Sequence, residues 1–183
     1  MKIRTRRVNP RTNEYLDYLE EHVENVIRSW NEMLRPALES GGYQKELLDQ
    51  IEEKIHRHDS SKYSEVEFDA YLNWFYPSEG FSKDQNAYDL AWLHHQKTNP
   101  HHWQYWCLLR DEGVIEPLDM PFESICEMLC DWHSFSATDQ NSTAYNYYCD
   151  NIENFKFSSH TKATVEYLLQ YLTVPLTEVD TYV

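Results

Sequence analysis

Glycine is scarce, with four residues in a chain of 183. That is too few for the many tight turns of a β-rich fold. No apolar run approaches the roughly 20 residues that a membrane-spanning helix needs, so a membrane partner is not expected. Met1 to Arg7 is basic but lacks an apolar stretch, which argues against a signal peptide. The four cysteines, Cys107, Cys126, Cys130 and Cys149, form no CxxC pair. A redox dithiol or zinc knuckle is therefore not expected, and free thiols in a cytoplasmic protein are. Basic charge is also short: 16 Lys and Arg stand against 31 Asp and Glu, a formal charge of −15. Most of such a surface repels a phosphate backbone, so nucleic acid is not an expected partner. The acidic excess reads either as a solubility feature or, in part, as charge gathered around a cation.

What is present favours one folded helical domain. Hydrophobic residues make up 41% and aromatic residues 15%, enough for one sizeable core at this length. Leu16, Leu19, Val23, Val26, Ile27, Trp30 and Leu34 recur at helical spacing. They predict a first helix over 13–34, ended by Pro36 and Gly41-Gly42. A second helix is predicted over 44–58, with Leu47, Leu48, Ile51 and Ile55 on one face. Ser64 with Glu67, and Ser82 with Gln85, read as capping boxes opening two further helices. Asn99-Pro100 breaks the second of these, with a short helix expected over 101–109. Gly113 to Pro121 reads as a loop. Pro121 opens a helix to Phe135, and two more are expected near 142–153 and 159–172. No segment alternates with a period of two. The expected fold is all-α: one compact domain with a metal-site core over 12–135, C-terminal helices over 136–174 and a loose tail over 175–183.

Nine histidines are present, and imidazole is the commonest protein metal ligand. His22 flanks the buried face of the first helix, where a lone histidine also reads as a core residue. His58 and Asp59 continue the apolar face of the second helix inward, and His56 projects from its polar face. A buried carboxylate is costly unless paired or metal-bound; the alternative for Asp59 is a cap. On the helix from Pro121, Glu123, Glu127, Asp131 and Ser134 form a narrow acidic stripe on an otherwise apolar surface, read either as a solvent face or as an inward one. The segment LHHQKTNPHHWQYW (93–106) carries His94, His95, His101 and His102. Neighbours on a helix diverge by about 100°, so at most one of each pair is expected to face inward, with His95 and His102 chosen. Trp103, Tyr105 and Trp106 read as packing or as rings to stack on a base. His133 and His160 read as fillers. Arg4, Arg6, Arg7 and Arg11 are placed against the acidic body.

The order His22, His58-Asp59, Asp131 resembles the H…HD…D pattern of the HD-domain metal-dependent phosphohydrolases, and HDSSK (58–62) is similar to their HDxGK signature, with Ser61 in place of the glycine. The separations, 36 residues from His22 to His58 and 72 from Asp59 to Asp131, suit that pattern. HDSSKYSEVEFDAY and AWLHHQKTNPHHWQYW are also similar to an uncharacterised protein family of Gram-positive bacteria and their phages. The HD resemblance implies that His22, His58, Asp59 and Asp131 hold a divalent ion (Mn, Fe, Zn, Mg or Co) and that Lys62 faces a substrate phosphate. His95 and His102 are then candidates for a second ion or for a general acid. The implied function is hydrolysis of a small nucleotide-like phosphate ester. Two alternatives stand beside it: a di-iron oxygenase on the same scaffold, and a binding protein that sequesters a nucleotide without turning it over.

Overall fold

The computed structural model describes residues 9–177. Arg4, Arg6 and Arg7, and the tail beyond Thr177, lie outside them. Helix α1 runs Pro10–Arg28, with the Asn9 side chain capping the Arg11 N–H and Pro10 in the first turn, where no N–H partner is needed. Pro36 does not end the helical path as the sequence suggests. A π-helical segment, Ser29–Leu34, carries the chain into α2, Arg35–Ser40. There Pro36 sits in a first turn. The wide segment has a packing consequence: Val26, Trp30, Leu34 and Leu38 are all buried although four residues apart. In a plain α-helix each four-residue step drifts by about 40°. The π turns cancel that drift.

Helix α3 spans Lys45–Ile55 and buries Leu48, Ile51 and Ile55. It stops before His58, which was expected inside it. Helix α4 (Phe68–Phe75) packs on α5 (Gln85–Thr98). The expected capping boxes are not the ones used. Asp84 caps α5 through the Ala87 N–H, and Glu67 precedes α4 without capping it. Residues 101–109 do not form a helix: Trp103–Trp106 is a 3-10 turn, and Cys107–Leu109 (β1) pairs antiparallel with Ile115–Pro117 (β2). Each strand of this small hairpin has three residues, too few to show an alternating pattern.

The centre of the molecule is α6, Phe122–Ser134, which packs against α1, α3, α7 (Ala144–Asn151) and α8 (Ser159–Leu169). Ile125, Cys126, Met128, Leu129 and Cys130 are buried on it. Ile125, Met128 and Leu129 each contribute about 1.5–3 kcal/mol by leaving water. The cysteines are free thiols, as expected. A second apolar cluster, Tyr15, Leu19, Tyr71, Leu72 and Ala91, joins α1, α4 and α5. The fold is all-α apart from the hairpin. The start of the C-terminal segment is not loose: Leu176 is buried and donates its N–H to Ser136 Oγ. No helix among the described residues is long and apolar enough to cross a membrane.

Candidate metal centre

Three elements bring the first donors to one buried place. The inward face of α1 carries His22. The turn after α3 carries His58 and Asp59, and Asp59 adopts a left-handed backbone, φ 56°. Aspartate is one of the few residue types that tolerate that conformation. It turns the chain into a 3-10 segment, Ser60–Tyr63, and leaves both carboxylate oxygens facing inward. Asp131 comes from α6, so the acidic stripe is not a solvent face at this point.

His22 Nε2 lies 3.6 Å from Asp59 Oδ2 and 3.3 Å from Asp131 Oδ1. His58 Nε2 lies 3.6 Å from each of the same oxygens. Four donors bound tetrahedrally at about 2.0–2.2 Å stand roughly 3.3–3.6 Å apart. These four spacings match; His22, His58 and Asp131 close on one another as a possible metal-holding group, and Asp59 Oδ2 reaches its two imidazoles. The other oxygen of Asp59 faces a second group. Asp59 Oδ1 is 3.2 Å from His95 Nε2 and 3.5 Å from His101 Nε2, and His102 completes the set.

The donor chemistry fits a cation. His58 Nε2, His101 Nε2, His102 Nε2 and Asp59 Oδ1 are buried and have no hydrogen-bond partner in the protein. Orphan donors and acceptors of this kind are rare and costly. Here the opposite edges of two rings are tied down. His58 Nδ1 and His101 Nδ1 both donate to Glu127 Oε1, at 2.9 and 3.0 Å. His95 Nδ1 donates to Glu67 Oε2 at 2.8 Å. An ionised carboxylate only accepts, so each Nδ1 carries a proton and each Nε2 points inward, where a neutral ring offers its lone pair to a cation. This is the outer-shell arrangement that orients metal-binding imidazoles. Buried His, Asp and Glu groups here can therefore hold a metal ion.

Electrostatics tell the same story. Burial opposes charge at every group, yet the carboxylates lift His58 to a pKa of about 10. Burial would raise Asp59 and Asp131, but His58 and Lys62 for the first, and His22 and His58 for the second, hold them well below the usual range. Glu127 is likewise held at about 2 against its burial by His101 and His58. With only the protein's own groups, protons on imidazoles and the Lys62 ammonium, 2.6 Å from Asp59 Oδ2, balance this charge. His102 is the exception: burial, then His101 and His95, push its pKa well down, so it is a neutral imidazole near pH 7.

His22, His58, Asp59, Asp131, His95, His102 and Lys62, the residues named from the sequence, lie together in the structure. Three residues were missed or misread. His101 faces inward together with His102, against the one-per-pair expectation. The 100° rule fails because both lie in the turn after α5 rather than on a helix. Glu67 was absorbed into a capping box and is instead fully buried against His94 and His95. Glu127 was read only as part of the stripe; its position one turn before Asp131 was the available signal. His94 pairs with Glu67 at the edge and contributes no inward donor. His133 is buried away from the centre and His160 is exposed. Arg11 binds Asn73 rather than a carboxylate.

Compared with known proteins, the chain matches the model of DUF5662, a family of unknown function, over residues 11–171. No curated protein and no solved structure matches it.

Proposed function

The chain belongs to the DUF5662 family, and we propose that it is an HD-type metal-dependent phosphohydrolase acting on a nucleotide-like phosphate ester. The observation that carries this reading is Asp59, whose two oxygens face two separate imidazole sets. His22, His58, Asp59 and Asp131 would hold one divalent ion, and Asp59, His95, His101 and His102 a second. A bound divalent metal supplies a water of lowered pKa and polarises a phosphoryl oxygen. The mixed imidazole and carboxylate donors suit Mn, Fe, Co or Zn better than Mg.

The chain's own groups account for the remaining chemistry. Lys62 lines the cavity beside the donors, where its ammonium can neutralise charge developing on a phosphoryl group. Burial disfavours its charged form, but Asp59 keeps it protonated. Glu127 and Glu67 hold the rings in one orientation, so that no reorganisation is needed during reaction. His95 and His102 act as ligands in this reading, not as proton donors.

Elemental analysis of tag-free protein tests it, comparing wild type with His58→Ala/Asp59→Ala. The expected result is near-stoichiometric metal in wild type, lost in the variant with helical circular dichroism retained, and metal-dependent release of phosphate from a nucleotide panel. Wild type that takes up no manganese, iron or zinc on reconstitution would overturn the reading. The three imidazoles of the second set also suit iron. Two irons per chain, visible as colour, with oxygen consumed and phosphate esters untouched, would favour the oxygenase alternative. Nucleotide bound and recovered intact after long incubation with metal would favour sequestration.

A further inference from the structure

Building on the phosphohydrolase reading, we propose that the substrate is a phosphodiester whose two organic groups occupy two separate chambers meeting at the metal centre. One chamber, of about 500 Å³, is walled by aromatic rings, among them Tyr15, Tyr18, Tyr71 and Tyr88, and contains Lys62. The other, of about 490 Å³, is walled by Trp103 and Trp132 and by the polar groups Gln104, Asn141, Ser142 and Asp150. They share Trp92, His102, Asp131 and Phe135. Two of those four are donors of the metal centre, so a phosphorus held there has an organic-sized space in each direction. Each volume lies within the usual range for a ligand pocket. A monoester has one organic group and would leave one chamber to water.

Each chamber also has its own unsatisfied polar atoms. In the aromatic one, the Tyr15 and Tyr71 hydroxyls are buried without a hydrogen-bond partner, and in the other so is Gln104 Oε1. Buried tyrosine hydroxyls and amide oxygens are normally paired. None of these atoms is exposed to its chamber, so they mark polar wall residues rather than preformed hydrogen-bond sites. Among the described residues, Lys62 is the one Lys or Arg lining either chamber, and it is already paired with Asp59. Asp131 and Asp150 line the second chamber. Apart from the metal that the phosphohydrolase reading places at the centre, neither chamber offers a free cation to the second charge that a monoester carries and a diester lacks. In the reaction, the oxygen of one water bonds to phosphorus and one P–O ester bond breaks. A proton of that water ends on the leaving oxygen, giving a monoester and an alcohol.

The test uses full-length protein reconstituted with manganese and three chromogenic probes: bis(p-nitrophenyl) phosphate, thymidine 5′-(p-nitrophenyl phosphate) and p-nitrophenyl phosphate. The expected kcat/KM is about tenfold or more higher for the diesters, since the second group adds binding remote from phosphorus. Gln104→Leu is expected to raise KM severalfold for the diesters and to leave it unchanged for the monoester if that probe sits in the aromatic chamber; Tyr71→Phe raises KM for both. Tryptophan fluorescence gives a readout independent of turnover: diphenyl phosphate is expected to bind more tightly than phenyl phosphate. Faster cleavage of the monoester would overturn the proposal and leave the phosphohydrolase reading intact. Cleavage of no probe, with diphenyl phosphate still the tighter ligand, would overturn the phosphohydrolase reading and support the two-chamber assignment. Equal binding of the two phenyl esters would overturn that assignment.

Discussion

The two donor sets around Asp59 are built in opposite ways. His22, Asp59 and Asp131 come from α1, the turn after α3, and α6, which pack directly on one another through the main core. His95, His101 and His102 fall within eight residues of sequence, at the end of α5 and in the turn that follows. The first set is held by the core itself and persists as long as the helices pack. The second is held by one local turn, pinned where Asn99 Nδ2 reaches His95 O at 2.9 Å and Ser61 Oγ at 2.7 Å. A site made by global packing is expected to keep its ion under chelation longer than a site made by a turn, because local opening costs less than global unfolding.

The largest effect should come from the residue the two sets share. Asp59→Asn keeps a side chain that tolerates the left-handed backbone but removes the charge. On the proposed two-ion hydrolase reading, both ions should be lost, and turnover should fall by roughly 10⁴-fold or more, the scale of removing a catalytic group. Elemental analysis with circular dichroism checks this; retention of one ion would break the claim that both sets depend on Asp59.

A histidine outside both sets gives the next contrast. His133 is as buried as His58, but no carboxylate faces it, and burial lowers its pKa to about 4. The unfolded chain, with a pKa near 6.5, takes up that proton first. The stability from keeping His133 neutral is therefore complete above about pH 6.5 and is lost as pH falls towards 4. At about 1.4 kcal/mol per pKa unit the loss reaches about 3 kcal/mol. His133→Gln keeps an acceptor for the Ala144 N–H without titrating. Urea denaturation should show a flatter acid limb in the variant than in wild type. An unchanged limb would mean that His133 is not held neutral.

The finest test separates the sets by their outer carboxylates. Glu127 accepts from a ring of each set and Glu67 from His95 alone among the donors. Glu127→Gln should weaken both ions by about 10–100-fold, and Glu67→Gln only the more weakly held one. Competition with a chromophoric chelator measures both. Equal loss of both ions in Glu67→Gln would mean that the sets do not act separately.

The same division explains what could be read beforehand. The helices that build the core were legible from their apolar spacing, and His22, His58, Asp59 and Asp131 from their places on or beside those faces. Spacing arguments work where a helix fixes side-chain direction. They fail in the turn at 99–102, where direction depends on Asn99 and Ser61, and so His101 was passed over. Glu67 was hidden for another reason: a carboxylate three residues after a serine carries the same signature whether it caps a helix or lies buried beneath two histidines. Partnerships across the fold, such as Glu127 with His58 69 residues away, leave no local trace.

The π-helical segment at Ser29–Leu34 bears on how this chain can tolerate insertions and deletions. It takes up about one residue more than the same turns of α-helix would. Deleting one residue there would let the chain wind as ordinary α-helix from Pro10 to Ser40 with the parts before and after it in nearly the same phase, because the π turns already absorb that residue's rotation of about 100°. The chain can therefore lose one residue at this place and keep its donor geometry. If the full-length segment wound as α-helix instead, His22 would turn by about 100° relative to the part anchored through Leu34 and Leu38, and the molecule would keep its helices while losing the phase that brings the candidate metal donors together.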